Sequence, residues 1–109
     1  MDFKRTDTTV SEYEFPALSG IEFLVMDLLE RNGEMFGLEM VEMSDGELKK
    51  GTVYVTLGRM VDKGLLDSRT EDEDAASQGQ KRLYLPTEYG KRVFKAQEIA
   101  LKYLNMGAW

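Results

Sequence analysis

From Thr52 onward the apolar residues Val53, Leu57, Met60 and Val61 recur at i, i+4, i+7 and i+8, one face of a helix of period 3.6. The spacing predicts a buried face. It leaves an exposed stripe of Thr52, Thr56, Arg59 and Lys63, which offers hydroxyls and cations and no carboxylate, with Asp62 off the stripe. Gly64 reads as the left-handed residue that ends this helix. Gly58, in its interior, costs about 1 kcal/mol against Ala and reads as a mark of close helix packing.

The same periodicity places the other elements. Met1 to Phe15 shows no sustained period and Pro16 closes it, which predicts a flexible arm with a short helix around Val10 to Phe15. Ser19-Gly20-Ile21-Glu22 is a capping box, and Ile21, Leu24, Val25, Leu28 and Leu29 then face inward until Gly33 stops the run. A short helix starts at Gly37, carries Leu38, Val41 and Met40 inward, and ends at the Asp45-Gly46 turn. Met35, Met40 and Met43 read as gap-filling core, since an unbranched thioether adapts to irregular spaces.

After Gly64 the period changes to two. Leu65–Thr70 and Lys81–Pro86 predict a hairpin in which Leu83 and Leu85 alternate against Arg82 and Tyr84. Its tip carries Glu71–Asp74, four acids that keep the edge solvated and cannot lie on phosphates. Thr87 then starts a last helix with Tyr89, Val93, Ala96, Ala100 and Tyr103 on one face, widened by Phe94, Leu101 and Leu104. So broad a stripe predicts a homodimer formed through Val93, Phe94, Ala100, Leu101 and Leu104. Trp109, at the very end, falls in that interface or frays.

Composition narrows the chemistry. The 109 residues are enough for one core, and 42% apolar with 31% charged is ordinary for a globular domain. There is no cysteine and no histidine, which removes disulfides, thiol catalysis, most zinc sites and the commonest general base. With no nucleophile-base pair and no phosphate-cradling glycine loop, neither an enzyme nor a cofactor or metal site is expected. No apolar run approaches the ~18 residues of a membrane span and no signal-peptide core opens the chain, so the expected location is cytoplasmic.

The net charge of −6 is unevenly spread: residues 1–48 sum to −9, residues 49–70 to +3 and residues 71–109 to zero. The positive segment is the helix at 52–63 and its flanks. Lys49 and Lys50 precede that helix, where the macrodipole is already positive and neither side chain can cap the N–H groups. An anion would relieve this arrangement, because helix-end N–H groups beside cations form a phosphate site. The stripe therefore reads as a recognition helix for double-stranded DNA, with Lys49, Lys50, Thr52, Thr56, Arg59 and Lys63 in contact. Lys81, Arg82 and Arg69 at the strand bases can add phosphate contacts. The acidity of residues 1–48 supports an alternative, a protein–protein interaction module that does not bind DNA.

The order helix, helix, recognition helix, two-stranded wing, long helix resembles the PadR-like transcriptional regulators. The resemblance is carried by GEMFGLEMVEM, KKGTVYVTLGRMVDKGLLDSR and KRLYLPTEYGKRV, and it covers about residues 18–95. Thr52 and Tyr54 match the family's GTLY-type motif, and Lys81, Arg82 and Tyr84 its basic-aromatic wing strand, so Tyr54 joins the DNA-binding set by resemblance. Lys49 and Lys50 stand where the family often has Ser-Pro, Val55 where a proline is frequent, and Phe36 in place of the usual tyrosine. The fold implied is mainly α with a small β-hairpin wing, a winged helix-turn-helix with a C-terminal dimerisation helix. Residues 1–17 would be the arm, 18–87 the DNA-binding domain and 88–109 the dimerisation helix. The resemblance further implies a dimeric repressor at a palindromic operator, read by the recognition helix 51–63 and the wing 65–86. Some relatives bind aromatic small molecules at the dimer interface, and no motif here names such an effector.

Overall fold

The computed structural model describes residues 17–70 and 82–107. Almost all of the expected N-terminal arm, the acidic tip Glu71–Asp74 and Trp109 lie outside the described residues. Helix α1 is Gly20–Asn32, started by the capping box: the Glu22 N–H donates to Ser19 Oγ at 3.2 Å, and the Ser19 N–H donates to Glu22 Oε1 at 2.9 Å. Gly33, at φ 80°, closes it. Val25, Met26, Leu28 and Leu29 are buried, whereas Ile21, expected inward, is 38% exposed because it lies one turn before Val25 at the rim of the core.

Three strands follow among the described residues: β1 (Met35–Phe36), β2 (Leu66–Thr70) and β3 (Arg82–Pro86). They form one antiparallel sheet in the order β1-β3-β2, so the expected two-stranded wing gains a third strand. Tyr84 stands opposite Met35 on one side and Ser68 on the other. Directly opposed residues share a face. Tyr84, Leu66 and Met35 therefore share a face, and all three are in the main core. The expected alternation, with Tyr84 outward, is corrected: its face of the sheet, shared with Met35 and Leu66, is the one packed in the core.

Between β1 and β2 lie α2 (Gly37–Met43) and α3 (Val53–Asp62). Met40 is fully buried with Leu38 and Val41 at its sides, but Met43, read as core, is 53% exposed at the last turn of α2. Asp45 and Gly46 both take positive φ, 58° and 86°, which turns the chain back sharply. The buried Ser44 hydroxyl donates to the Val41 carbonyl at 2.8 Å and accepts the Leu48 N–H at 2.9 Å. That stitch seats Leu48 in the core and delivers Lys49 and Lys50 to the start of α3.

Helix α4 is Glu88–Gly107. Thr87 caps it, accepting the Gly90 N–H on Oγ1 at 2.9 Å while donating to the Gly64 carbonyl at 2.6 Å. Gly90 permits this approach, since a Cβ there would stand 2.1 Å from the Leu65 carbonyl oxygen. Phe94 stacks on Phe23 of α1 with ring centroids 4.8 Å apart. Gln97 bonds both ways with the Leu18 backbone, accepting its N–H at 2.7 Å and donating to its carbonyl at 3.1 Å. Val93 and Phe94, read as dimerisation residues, are each only 4% exposed and belong to the chain's own core. Leu101 and Leu104 differ: with Ile99 and Tyr103 they are between 45% and 74% exposed, and Ala100 is exposed beside them.

Candidate nucleic-acid interface

Three side chains fix the roll of α3: Val53, Leu57 and Met60 are at most 1% exposed. Everything on the opposite side is therefore presented outward. Thr52, Val55, Gly58, Arg59, Asp62 and Lys63 are exposed, and Thr56 is half-buried. Asp62, placed off the stripe by spacing, adds a carboxylate at the C-terminal end of this face.

The start of α3 has no side-chain cap from Thr52, yet two of its N–H groups are satisfied. Those of Thr52 and Val53 both donate to the Lys49 carbonyl, at 3.1 and 2.9 Å. The helix end is thus less needy of an anion than its sequence implies. The Lys49 ammonium folds back on the turn, donating to the Gly46 carbonyl at 2.8 Å. Lys50 and Arg59 are exposed, and among the described residues neither has an ion-pair partner.

Lys63 is engaged elsewhere. Its ammonium donates to Glu22 Oε2 at 2.6 Å, joining the end of α3 to the first turn of α1. Burial alone would raise the Glu22 carboxyl, but the Lys63 ammonium and the Ser19 N–H and hydroxyl outweigh it and hold Glu22 below the ordinary carboxylate value. In the wing, Arg69 makes a two-point contact with Glu34, Nη2 to Oε1 at 2.6 Å and Nε to Oε2 at 3.1 Å. This pairing lowers the Glu34 carboxyl. Arg82 is half-buried and donates to Ser68 Oγ at 3.2 Å, and Lys81 lies outside the described residues.

The model for the transcriptional regulator PadR-like family matches residues 25–96, about two thirds of the chain. The chain belongs to the PadR-like family of transcriptional regulators. A comparison with curated proteins found no match. A PadR family transcription regulator from hypervirulent Clostridium difficile R20291 is 25% identical, with 81% of this chain and 93% of that one aligned at a TM-score of 0.67. Two further solved structures share the fold. The protein smu.1704 from Streptococcus mutans UA159 is 18% identical, covering 85% of this chain and 88% of that one at a TM-score of 0.63. The PcaV transcriptional regulator from Streptomyces coelicolor, solved in complex with its natural ligand, is 16% identical, covering 96% and 79% at 0.66.

On this PadR-like winged helix, Tyr54 is placed inward of the helix face. Its ring edge fills the space where a Cβ of Gly37 would sit, 2.7 Å from Cε1, and its hydroxyl is buried without a partner among the described residues. Burial raises its pKa, as it does for Tyr84 despite the nearby Arg82. Lys49, Lys50, Thr52 and Arg59 remain on the outer surface, with Thr56 at its edge. Gly58, read as a packing glycine, meets nothing: a Cβ there has no heavy atom within 4 Å. Val55 was missed by the sequence pattern and is 55% exposed. The signal was present, since at about 100° per residue Val55 lies nearly opposite Leu57. Among the described residues no helix is long and apolar enough to cross a membrane.

Proposed function

We propose that this PadR-like chain is a sequence-specific DNA-binding regulator in the cytoplasm, acting as a dimeric repressor at a palindromic operator. Recognition falls to residues 51–63, with the wing 65–86 alongside, within a DNA-binding domain of residues 18–87. The observation that carries this reading is the outer face of α3, where Lys50 and Arg59 stand exposed and, among the described residues, without ion-pair partners in a chain of net charge −6. A local cationic face on an acidic body suits a polyanion and repels other approaches. The exposed Ile99, Leu101, Tyr103 and Leu104 on the distal half of α4, within residues 88–109, support pairing with a second copy.

Binding of duplex DNA followed by fluorescence anisotropy across a salt series tests it. Phosphate contacts by Lys50 and Arg59 in both subunits give a log-log slope of about −4, and about −7 if Lys49 and Lys63 swing over to join them. Lys50→Glu should weaken binding on every sequence. A slope near zero would favour the alternative, a protein-interaction module, to which the charge of −9 over residues 1–48 lends support.

A further inference from the structure

Glycine is among the poorest helix formers, and Gly58 sits in the interior of α3 without any of the usual reasons for it. Its φ is not in the left-handed region, unlike Gly33, Gly46 and Gly64. Nor does it admit a neighbour among the described residues. A Cβ on Gly37 would strike Tyr54 and one on Gly90 would strike Leu65, whereas one on Gly58 would stand in open space. One turn earlier, Val55 sets an apolar, β-branched side chain on the surface, 55% exposed. Positions i and i+3 are neighbours on a helix, so the two form one small apolar step on the outermost part of α3.

What lies around that step decides its partner. Thr52 and Arg59 flank Val55, Lys50 lies just before the helix, and the carboxylate on this face, Asp62, stands at the C-terminal end. The surround is cationic and hydroxylic toward Lys50, Thr52 and Arg59, and acidic one turn beyond Gly58, at Asp62. A major groove is about 12 Å wide and a helix with its side chains is about 10–12 Å across, so trimming one flank to hydrogen lets the backbone sit deeper. Within that groove the apolar feature available to a valine is the C5-methyl group of thymine.

Resting on the DNA-binding reading, we infer that Val55 and Gly58 are specificity-determining residues: Val55 packs on a thymine methyl, and Gly58 lets the α3 backbone approach the groove wall closely enough for that contact. Arg59, beside Val55, then reaches the neighbouring base pair. Each half-site contains one thymine whose methyl group matters and whose hydrogen-bonding groups matter less.

The test begins by selecting binding sites from a random duplex library with the wild-type protein. Each thymine of the selected site is then replaced singly by deoxyuridine, which removes only the methyl. One replacement per half-site should weaken wild-type binding about threefold to tenfold. Val55→Ala should bind the thymine and deoxyuridine sites alike. Gly58→Ala should raise the melting temperature, because it improves the helix and meets no atom among the described residues, yet weaken binding to the selected site at least tenfold. If no thymine methyl matters, if Val55→Ala keeps the wild-type difference, or if Gly58→Ala binds the selected site as wild type does, the inference is overturned and the DNA-binding reading stands. If wild type enriches no sequence and shows no salt-dependent binding, both are overturned.

Discussion

Lys63 at the end of α3 and Glu22 in the first turn of α1 meet at 2.6 Å across 41 residues of sequence. The Glu22 carboxylate is the shared acceptor, since its other oxygen takes the Ser19 N–H of the capping box at 2.9 Å. One buried carboxylate thus caps α1 and anchors the end of α3. Lys63 is a positioning residue in this state, and its charge is turned toward the protein.

The Glu22 carboxyl is held below its ordinary value in the folded chain, so its contribution to stability is present above the unfolded carboxylate pKa and fades as pH falls through the folded one. Glu22→Gln should be less stable than wild type by about 1–2 kcal/mol at pH 7, the half-exposed lysine being partly screened. The gap should close on acidification below about pH 4. Urea titrations of both proteins at several pH values decide it, and a gap that stays constant with pH would remove the ion pair from this role.

Gly90 is the point where α4 rests on the turn after α3. An added Cβ at 2.1 Å from the Leu65 carbonyl oxygen meets backbone, which cannot swing aside as a side chain can. Gly90→Ala should therefore destabilise the fold by about 3 kcal/mol or more, although alanine is the better helix former. Thermal unfolding followed by circular dichroism is the measurement. A melting point equal to that of wild type would mean α4 is free to lift off the turn.

Phe94 and Leu101 lie seven residues apart on α4 and should separate folding from association. Phe94→Ala removes a ring stacked on Phe23 in the core and should lower protomer stability by about 3–5 kcal/mol. Leu101→Asp changes a residue that is 45% exposed in one protomer, so the chain should stay folded and become monomeric. Light scattering coupled to size exclusion, with circular dichroism alongside, separates the two. A Leu101→Asp protein that still dimerises would place the interface elsewhere.

Where the signals are local, the pattern of residues and the structure agree. Ser19 and Glu22 start α1, Gly33 stops it, and Val53, Leu57 and Met60 orient α3, because caps and helical faces are set by spacing over a few residues. The two-residue strand β1 has no period to detect, and Tyr84 is buried because the face of β3 that it shares with Met35 and Leu66 packs in the core. The same limit explains α4: periodicity marks Phe94 and Leu101 alike as apolar, and only the position of Phe23 makes one of them core. Lys63 looked free for the same reason, since the carboxylate that claims it is on another helix. Val55 and Gly58 are the reverse case, legible by angle and by helix propensity once the buried face is subtracted.

The junction at Thr87 has a mechanical consequence. Its hydroxyl donates to the Gly64 carbonyl at 2.6 Å, which ties the foot of α4 to the turn that ends α3. Helix α4 has 20 residues and is about 30 Å long. If the two copies of α4 cross in the dimer proposed above, they would act as levers, and their crossing angle would set the distance between the two copies of α3. A tilt of about 5° over such a lever displaces its end by about 3 Å, close to the rise of one base pair. Successive major grooves repeat at about 34 Å, so a shift of that size takes one reading head out of register with its half-site. In that proposed dimer, the angle between the two copies of α4 would be a gauge for operator spacing.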